Sequence, residues 1–151
     1  MAARPTNVTL RSATPDDAAV IPRLEEACMR DYAVALWGEW RPSATADSLV
    51  VAGHEMVVIT GQTVGCIAGE PRPEALLITK LYLAEEIRNR WIGAGLLRQK
   101  IELAASMNLP VRLRVLSTNP DALRFYLRMG FKILMRDAER VFVEYKAGSD
   151  T

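Results

Sequence analysis

A strand–helix–strand run between positions 76 and 116 constrains this fold more than any other feature of the chain. Leu76–Leu83 is apolar apart from Thr79 and Lys80, as a buried strand is. From about Ile92 to Met107, Leu96, Leu97, Ile101, Ala104 and Ala105 recur at helical spacing, and Asn108 and Pro110 stop the helix. Val111–Leu116 is a second apolar strand. Two strands joined through a helix pair in parallel and cross over right-handed.

The flanking segments add antiparallel strands. Asn7–Arg11 reads as a first strand. Pro15-Asp16-Asp17 opens a helix with an apolar stripe of Val20, Ile21, Leu24, Ala27 and Cys28. Asp31–Trp40 reads as a second short helix ending near Gly38, and Pro42–Gly53 carries no clear pattern. Glu55–Thr60 and Thr63–Gly69 form a hairpin about Gly61-Gln62. Phe131–Arg136 and Val141–Lys146 form a last hairpin about Asp137-Ala138-Glu139. The expected order is β-α-α-β-β-β-α-β-α-β-β. It belongs to the α/β (α+β) class, with a mixed, mostly antiparallel sheet, a parallel strand–helix–strand core and helices on both faces.

A length of 151 residues fits one domain, 1–151, with loose tails at about 1–6 and 147–151. Lys and Arg number 19 against 18 Asp and Glu, so there is no electrostatic footprint for nucleic acid or for an anionic membrane. No apolar run nears the roughly 20 residues that span a bilayer, and no apolar h-region follows Arg4-Pro5. Cys28 and Cys66 are isolated and His54 is the one histidine, so no metal site is expected and reduced, cytoplasmic thiols are.

Chemistry concentrates in two places. Asn119–Phe131 is a short helix with both ends marked. Asn119 suits the N-cap and Pro120 the first helical position, Asp121 complements the dipole, and Gly130 suits a left-handed stop. Asn119, Ala122 and Tyr126 share one face. Taken alone, Tyr126 beside Phe125 reads first as a core aromatic; a phenol facing a site is the reading that a second motif upstream has to support. Upstream, Arg88-Asn89-Arg90-Trp91-Ile92-Gly93-Ala94-Gly95 leads into a helix N-terminus. Free amides and small residues there suit an anion. The loop has neither the Gly-Lys-Ser/Thr of a P-loop nor a dinucleotide fingerprint.

Together the two motifs resemble the GCN5-related N-acetyltransferases. That family's loop pattern, Arg/Gln-x-x-Gly-x-Gly/Ala, is met by Arg88 and Gly93, with Trp91 where the first Gly is expected. Its later pattern, Asn-x-x-Ala-x-x-Phe-Tyr-x-x-x-Gly-Phe, is met by Asn119, Ala122, Phe125, Tyr126, Gly130 and Phe131 without gaps. Lys80-Leu81-Tyr82-Leu83 and Arg11–Ala18 also look like their counterparts, so the likeness runs from about Asn7 to Lys146.

The resemblance implies transfer of an acetyl group from acetyl-CoA to a primary amine by direct attack. Backbone groups of Leu81, Tyr82 and Leu83 would pair with pantetheine, and Asn119 would contact the same arm. Arg88 and the amides of Asn89, Arg90, Trp91, Ile92, Gly93 and Ala94 would hold the pyrophosphate. Tyr126 would give a proton to the leaving thiolate. Backbone N–H would stabilise the oxyanion, and proximity would supply much of the acceleration. Tyr32, Trp37, Glu39 and Trp40 fall in the region that caps the acceptor pocket in that family, where rings and an acid could receive a cationic amine. The acceptor would be a small molecule or a peptide, and a homodimer is common in the family.

Two departures stand out. Trp91 is bulky where the pattern has no side chain. No obvious general base appears either: the strands that carry a Glu in some members offer Leu77 and Arg114 here. An alkylamine is neutral about one part in a few thousand at pH 7, a handicap of roughly 4–5 kcal/mol. Glu70, His54, Glu39 and Glu144 are the candidates to relieve it. The departures motivate an alternative, a non-catalytic acyl-CoA-binding or partner-binding module on the same fold.

Overall fold

A computed structural model describes residues 8–88 and 91–147. The elements are β1 (Val8–Ser12), a 3₁₀ turn (Pro15–Ala18), α1 (Val20–Trp37), β2 (His54–Ile59), β3 (Gln62–Pro71), β4 (Leu76–Leu83), a 3₁₀ turn (Glu85–Ile87), α2 (Ile92–Ser106), β5 (Val111–Leu116), α3 (Pro120–Arg128), β6 (Lys132–Arg136) and β7 (Arg140–Tyr145). The strands form one sheet in the order β1-β2-β3-β4-β5-β7-β6. Only β4 and β5 pair in parallel, across the α2 crossover, as expected for a strand–helix–strand unit.

Two local readings need correction. The expected pair of helices before β2 is a single helix, α1, of 18 residues. No Gly or Pro interrupts the run between Pro22 and Gly38, so nothing breaks it until Gly38 turns left-handed at φ +80°. Ala27 of the expected stripe is exposed, and the buried positions are Ile21, Glu25 and Ala33. The β2–β3 turn is centred on Thr60-Gly61, not on Gly61-Gln62. Thr60 (φ +50°) and Gly61 (φ +78°) are both left-handed, as a two-residue turn joining right-twisted strands requires, and Ile59 pairs with Gln62.

The core is split by the sheet. On one face α2 packs Ile92, Leu96, Leu97 and Ala104 against β4 and β5, joined by Leu123, Phe125 and Tyr126 of α3. On the other, Ile21, Leu24 and Cys28 of α1 meet Met56, Cys66 and Tyr82. A bulge places Lys80 opposite Ala68 and Ile78 opposite Gly69, leaving Thr79 as the extra residue. Ile78 and Leu81 therefore both face α2. No helix among the described residues is long and apolar enough to cross a membrane.

Candidate active site

The sheet opens where β4 and β5 part. They pair only at Leu76–Val111 and Leu77–Arg112. Beyond those pairs β4 stays with β3 as far as Leu83, and β5 stays with β7 as far as Leu116. A wedge lies between them, bordered by backbone that makes no β4–β5 ladder pairs. The Ala84 amide bonds the Val64 carbonyl at 2.8 Å. By the alternation of an antiparallel ladder, Tyr82 then turns its backbone toward β3, and Leu81 and Leu83 turn theirs to the wedge. The Leu83 carbonyl accepts from Arg88 Nε at 3.0 Å and from Cys28 Sγ at 3.4 Å.

At the wide end of the wedge stands the start of α2. The first helical bond runs from the Gly95 amide to the Trp91 carbonyl at 2.9 Å. The amides of Ile92, Gly93 and Ala94 thus have no partner within the helix. A Cβ on Gly95 would meet nothing within 4 Å, so packing does not demand glycine there. Trp91 adopts φ +68° and is 67 % exposed. Its backbone takes the conformation that glycine adopts without strain, which accounts physically for a glycine in the family pattern. Asn89 and Arg90, expected at the pyrophosphate, lie outside the described residues.

On the β5 side of the wedge, α3 is capped as its sequence predicts. Asn119 Oδ1 accepts the Ala122 amide at 3.2 Å. Gly130 is left-handed at φ +104°, and the Phe131 amide returns to the Tyr126 carbonyl at 3.0 Å. Tyr126 sits edge-on between Phe125 (5.3 Å) and Phe131 (5.8 Å). Its hydroxyl makes no hydrogen bond among the described residues, and burial pushes the phenol up to about 12. The phenol therefore holds its proton throughout the physiological range.

The face of the wedge toward α1 is tied together by long-range contacts. Thr118 Oγ1 donates to the Tyr32 carbonyl at 2.7 Å, joining the end of β5 to α1. Trp37 Nε1 donates to Glu139 at 2.8 Å, and the guanidinium groups of Arg41 and Arg140 lie 5.5 and 5.6 Å from the Trp37 ring centroid. Trp37 is thus already occupied by cations of the protein. Trp40 is half-buried, and Glu39 is exposed and 3.9 Å from Arg41.

Of the expected bases, Glu144 is bound by Arg112 at 2.8 Å and Glu70 by Arg72 at 3.2 Å. His54 Nε2 receives Lys80 Nζ at 2.9 Å. Burial, reinforced by Lys80, holds the His54 pKa below its ordinary value. The sequence reading assigned no role to Glu25, which is buried on the sheet-facing side of α1. It accepts from Ser43 Oγ at 2.8 Å, from the Ser43 amide at 3.2 Å and from Tyr82 Oη at 3.3 Å. Its signal was available: Glu25 stands one turn after Ile21 and before Cys28, a carboxylate in an apolar stripe.

A profile of the acetyltransferase (GNAT) family matches residues 18–131, and the chain belongs to that family. It is an acetyltransferase by that membership. No curated protein matches the chain by sequence. Among solved structures, the PaiA N-acetyltransferase of Thermoplasma acidophilum, in complex with coenzyme A, superposes with a TM-score of 0.71 at 16 % identity, over 93 % of this chain and 99 % of that one. Naa50 of Arabidopsis thaliana, in complex with the bisubstrate analogue CoA-Ac-MVNAL, gives 0.66 at 19 % identity, over 93 % and 99 %. Ard1 of Thermoplasma volcanium gives 0.63 at 22 % identity, over 93 % and 97 %. At these identities the likeness is one of fold.

Proposed function

We propose that the protein is an N-acetyltransferase that moves an acetyl group from acetyl-CoA to a primary amine by direct attack, with Tyr126 as general acid. The observation that carries this reading is the parting of β4 from β5 beyond the Leu77–Arg112 pair, with Tyr126 of α3 and the start of α2 packed against the same core. The acyl donor brings an activated carbonyl and a thiol leaving group. The backbone of Leu81 and the amide of Leu83, whose carbonyl is taken by Arg88 and Cys28, suit its extended arm, and Asn119, whose Oδ1 is used in capping, offers its amide nitrogen. Arg88 and the amides of Ile92, Gly93 and Ala94 suit a pyrophosphate. Tyr126 gives its Oη proton to the departing sulfur as the amine nitrogen bonds to the acyl carbon and the carbon–sulfur bond breaks, and the proton that the nitrogen releases through solvent restores the phenol. The complexes of PaiA with coenzyme A and of Naa50 with a CoA–peptide analogue support a CoA-type donor and an amine acceptor, small or peptidic. The free thiols Cys28 and Cys66 fit a reducing compartment, and we assign the reaction to the cytoplasm.

The test is thiol release from acetyl-CoA across a panel of amines, with calorimetry of acetyl-CoA binding alongside. Release with at least one amine is expected. Tight binding with no release from any acceptor would favour the non-catalytic module, the reading that the bound state of every candidate base supports.

A further inference from the structure

On the α1 side the sheet is covered unevenly. α1 seats Ile21, Leu24 and Cys28 over Met56, Cys66 and Tyr82 of β2, β3 and β4. It reaches the far half of the sheet at the strand ends, where Thr118 donates to the Tyr32 carbonyl and Trp37 donates to Glu139. Below those ends β5, β7 and β6 turn side chains outward. Val141 and Val143 belong to the α2 core, so Arg140, Phe142 and Glu144 point to the opposite face. Register sets Arg114 and Met135 on either side of Phe142, and Arg112 and Lys132 on either side of Glu144. The Arg112–Glu144 bond at 2.8 Å confirms the alignment.

This strip is basic at its edges and apolar at its centre. The cations are Arg112, Arg114, Lys132 and Arg140, against the acids Glu139 and Glu144. Arg112 is spent on Glu144, and Arg140 lies 3.5 Å from Glu139. Arg114 and Lys132 are exposed and form no ion pair among the described residues. The other charges on this side of the sheet lie beyond the wedge: Lys80 reaches across β3 to His54, and Glu25 is buried beneath α1 against Tyr82. Between the cations Phe142 is half-buried and Met135 is 53 % exposed.

The strip begins at the wedge, because Arg114 lies two positions past Arg112, the last β5 residue paired with β4. From β5 to β6 is two strand spacings, about 10 Å, which an extended chain covers in about three residues. A chain leaving the wedge on this side crosses Arg114, then the Phe142–Met135 surface, and ends beside Lys132. A second copy of this protein would bring the same excess of cations against itself, so a symmetric pair does not suit this face.

We infer that the acceptor is a peptide, and that this strip docks acidic residues about two to five positions after the one that reacts, with an apolar side chain among them. The inference rests on the acetyl-transfer reading above. Arg114 and Lys132 are specificity residues that act away from the reacting atoms. Docking of that kind holds substrate and transition state alike, so the preference belongs in KM and not in kcat.

The experiment measures kcat and KM by thiol release for spermidine and for three eight-residue peptide amides with a free N-terminus. The peptides share a leucine at position three and carry glutamate, glutamine or lysine at positions two, four and five. The glutamate peptide should show a KM about tenfold below that of the glutamine peptide. In about 1 M salt, where charges are screened beyond about 3 Å, that advantage should vanish. Arg114→Gln combined with Lys132→Gln should erase it with the melting temperature unchanged, and the double change to Glu should turn the preference to the lysine peptide. Equal KM values, a wild-type preference for the lysine peptide, or turnover of spermidine alone would overturn the inference and leave acetyl transfer standing. So would an acidic preference that survives the double change to Gln. Failure to turn over any amine would overturn the acetyl-transfer reading and the inference with it.

Discussion

The two halves of the wedge are built differently. The half assigned to the acyl donor is built mainly from local contacts: Asn119 caps Ala122 three residues on, and Arg88 bonds the Leu83 carbonyl five residues back, with the Cys28 thiol of α1 joining both from 55 and 60 residues away. The half assigned to the acceptor is closed by contacts between distant segments. Tyr82 meets Glu25 across 57 residues, Thr118 meets Tyr32 across 86, and Trp37 meets Glu139 across 102. A short motif can fix the first kind of geometry. The second exists only once the sheet has formed and α1 has docked on it, so its specificity can change without disturbing the donor motifs.

The largest effect separating the halves is expected at Tyr126. Tyr126→Phe keeps the ring between Phe125 and Phe131 and removes only the hydroxyl, which has no hydrogen-bond partner among the described residues. Turnover should fall by about 10²- to 10⁴-fold, the usual contribution of a positioned acid. The melting temperature and acetyl-CoA affinity should hold. Equal losses in binding and turnover would mean that the phenol shapes the donor pocket instead of handing on a proton.

On the acceptor side the matching change is Glu25→Ala. It strands the buried Tyr82 hydroxyl and releases Ser43, which Glu25 ties to α1. A buried polar group left without a partner costs about 1–3 kcal/mol, so the melting temperature should drop by roughly 5–10 °C. KM for the amine should rise while acetyl-CoA affinity stays. If acetyl-CoA binding suffers more than amine binding, the division into local and long-range halves is wrong.

The same contrast explains what the sequence made legible. β4 and β5 were readable to the residue because each run is set off by a proline upstream (Pro73, Pro110) and by polar residues downstream (Glu85-Glu86, Ser117-Thr118), and the α3 caps were readable because each cap acts within one turn. The continuity of α1 was not. Its aromatic second half looked like a separate helix, yet Tyr32 and Trp37 take their places from Thr118 and Glu139, far along the chain. The occupancy of Trp37 by two arginines was equally invisible, since Arg140 arrives from the other end of the sheet. Trp37 was read as a receptor for a cationic amine, and its ring already has the guanidinium groups of Arg41 and Arg140 beside it.

A smaller effect tests how α1 is seated. Asp17 is buried and paired with Arg11 of β1 at 2.8 Å, and it also accepts the Thr14 amide at 2.8 Å. The Arg11 guanidinium, helped by the Thr14 amide, lowers the Asp17 pKa to about 2. A carboxylate depressed in the folded state stabilises above its unfolded pKa, and the stabilisation is lost as pH falls through the folded value. The wild type should therefore lose stability between about pH 4 and pH 2 more steeply than Asp17→Asn. Arg11 is half exposed, so the difference should stay near 1–2 kcal/mol. Parallel acid-unfolding curves for the two proteins would show that this pair does not seat α1.

The smallest effect is expected at Trp91, on the donor side, and it runs in the stabilising direction. A side chain held at φ +68° bears a left-handed strain of roughly 1–2 kcal/mol that glycine escapes. The indole is 67 % exposed, so its removal forfeits little packing. Trp91→Gly should raise the melting temperature by about 2–4 °C. Because the side chain points to solvent, acetyl-CoA affinity should change by less than about twofold. A large gain in affinity would mean that the indole lies across the path of the pyrophosphate. A fall in melting temperature would mean that the indole holds the start of α2 in place. In that case the donor half too depends on a contact that its local motif does not reveal, and the contrast with the acceptor half narrows.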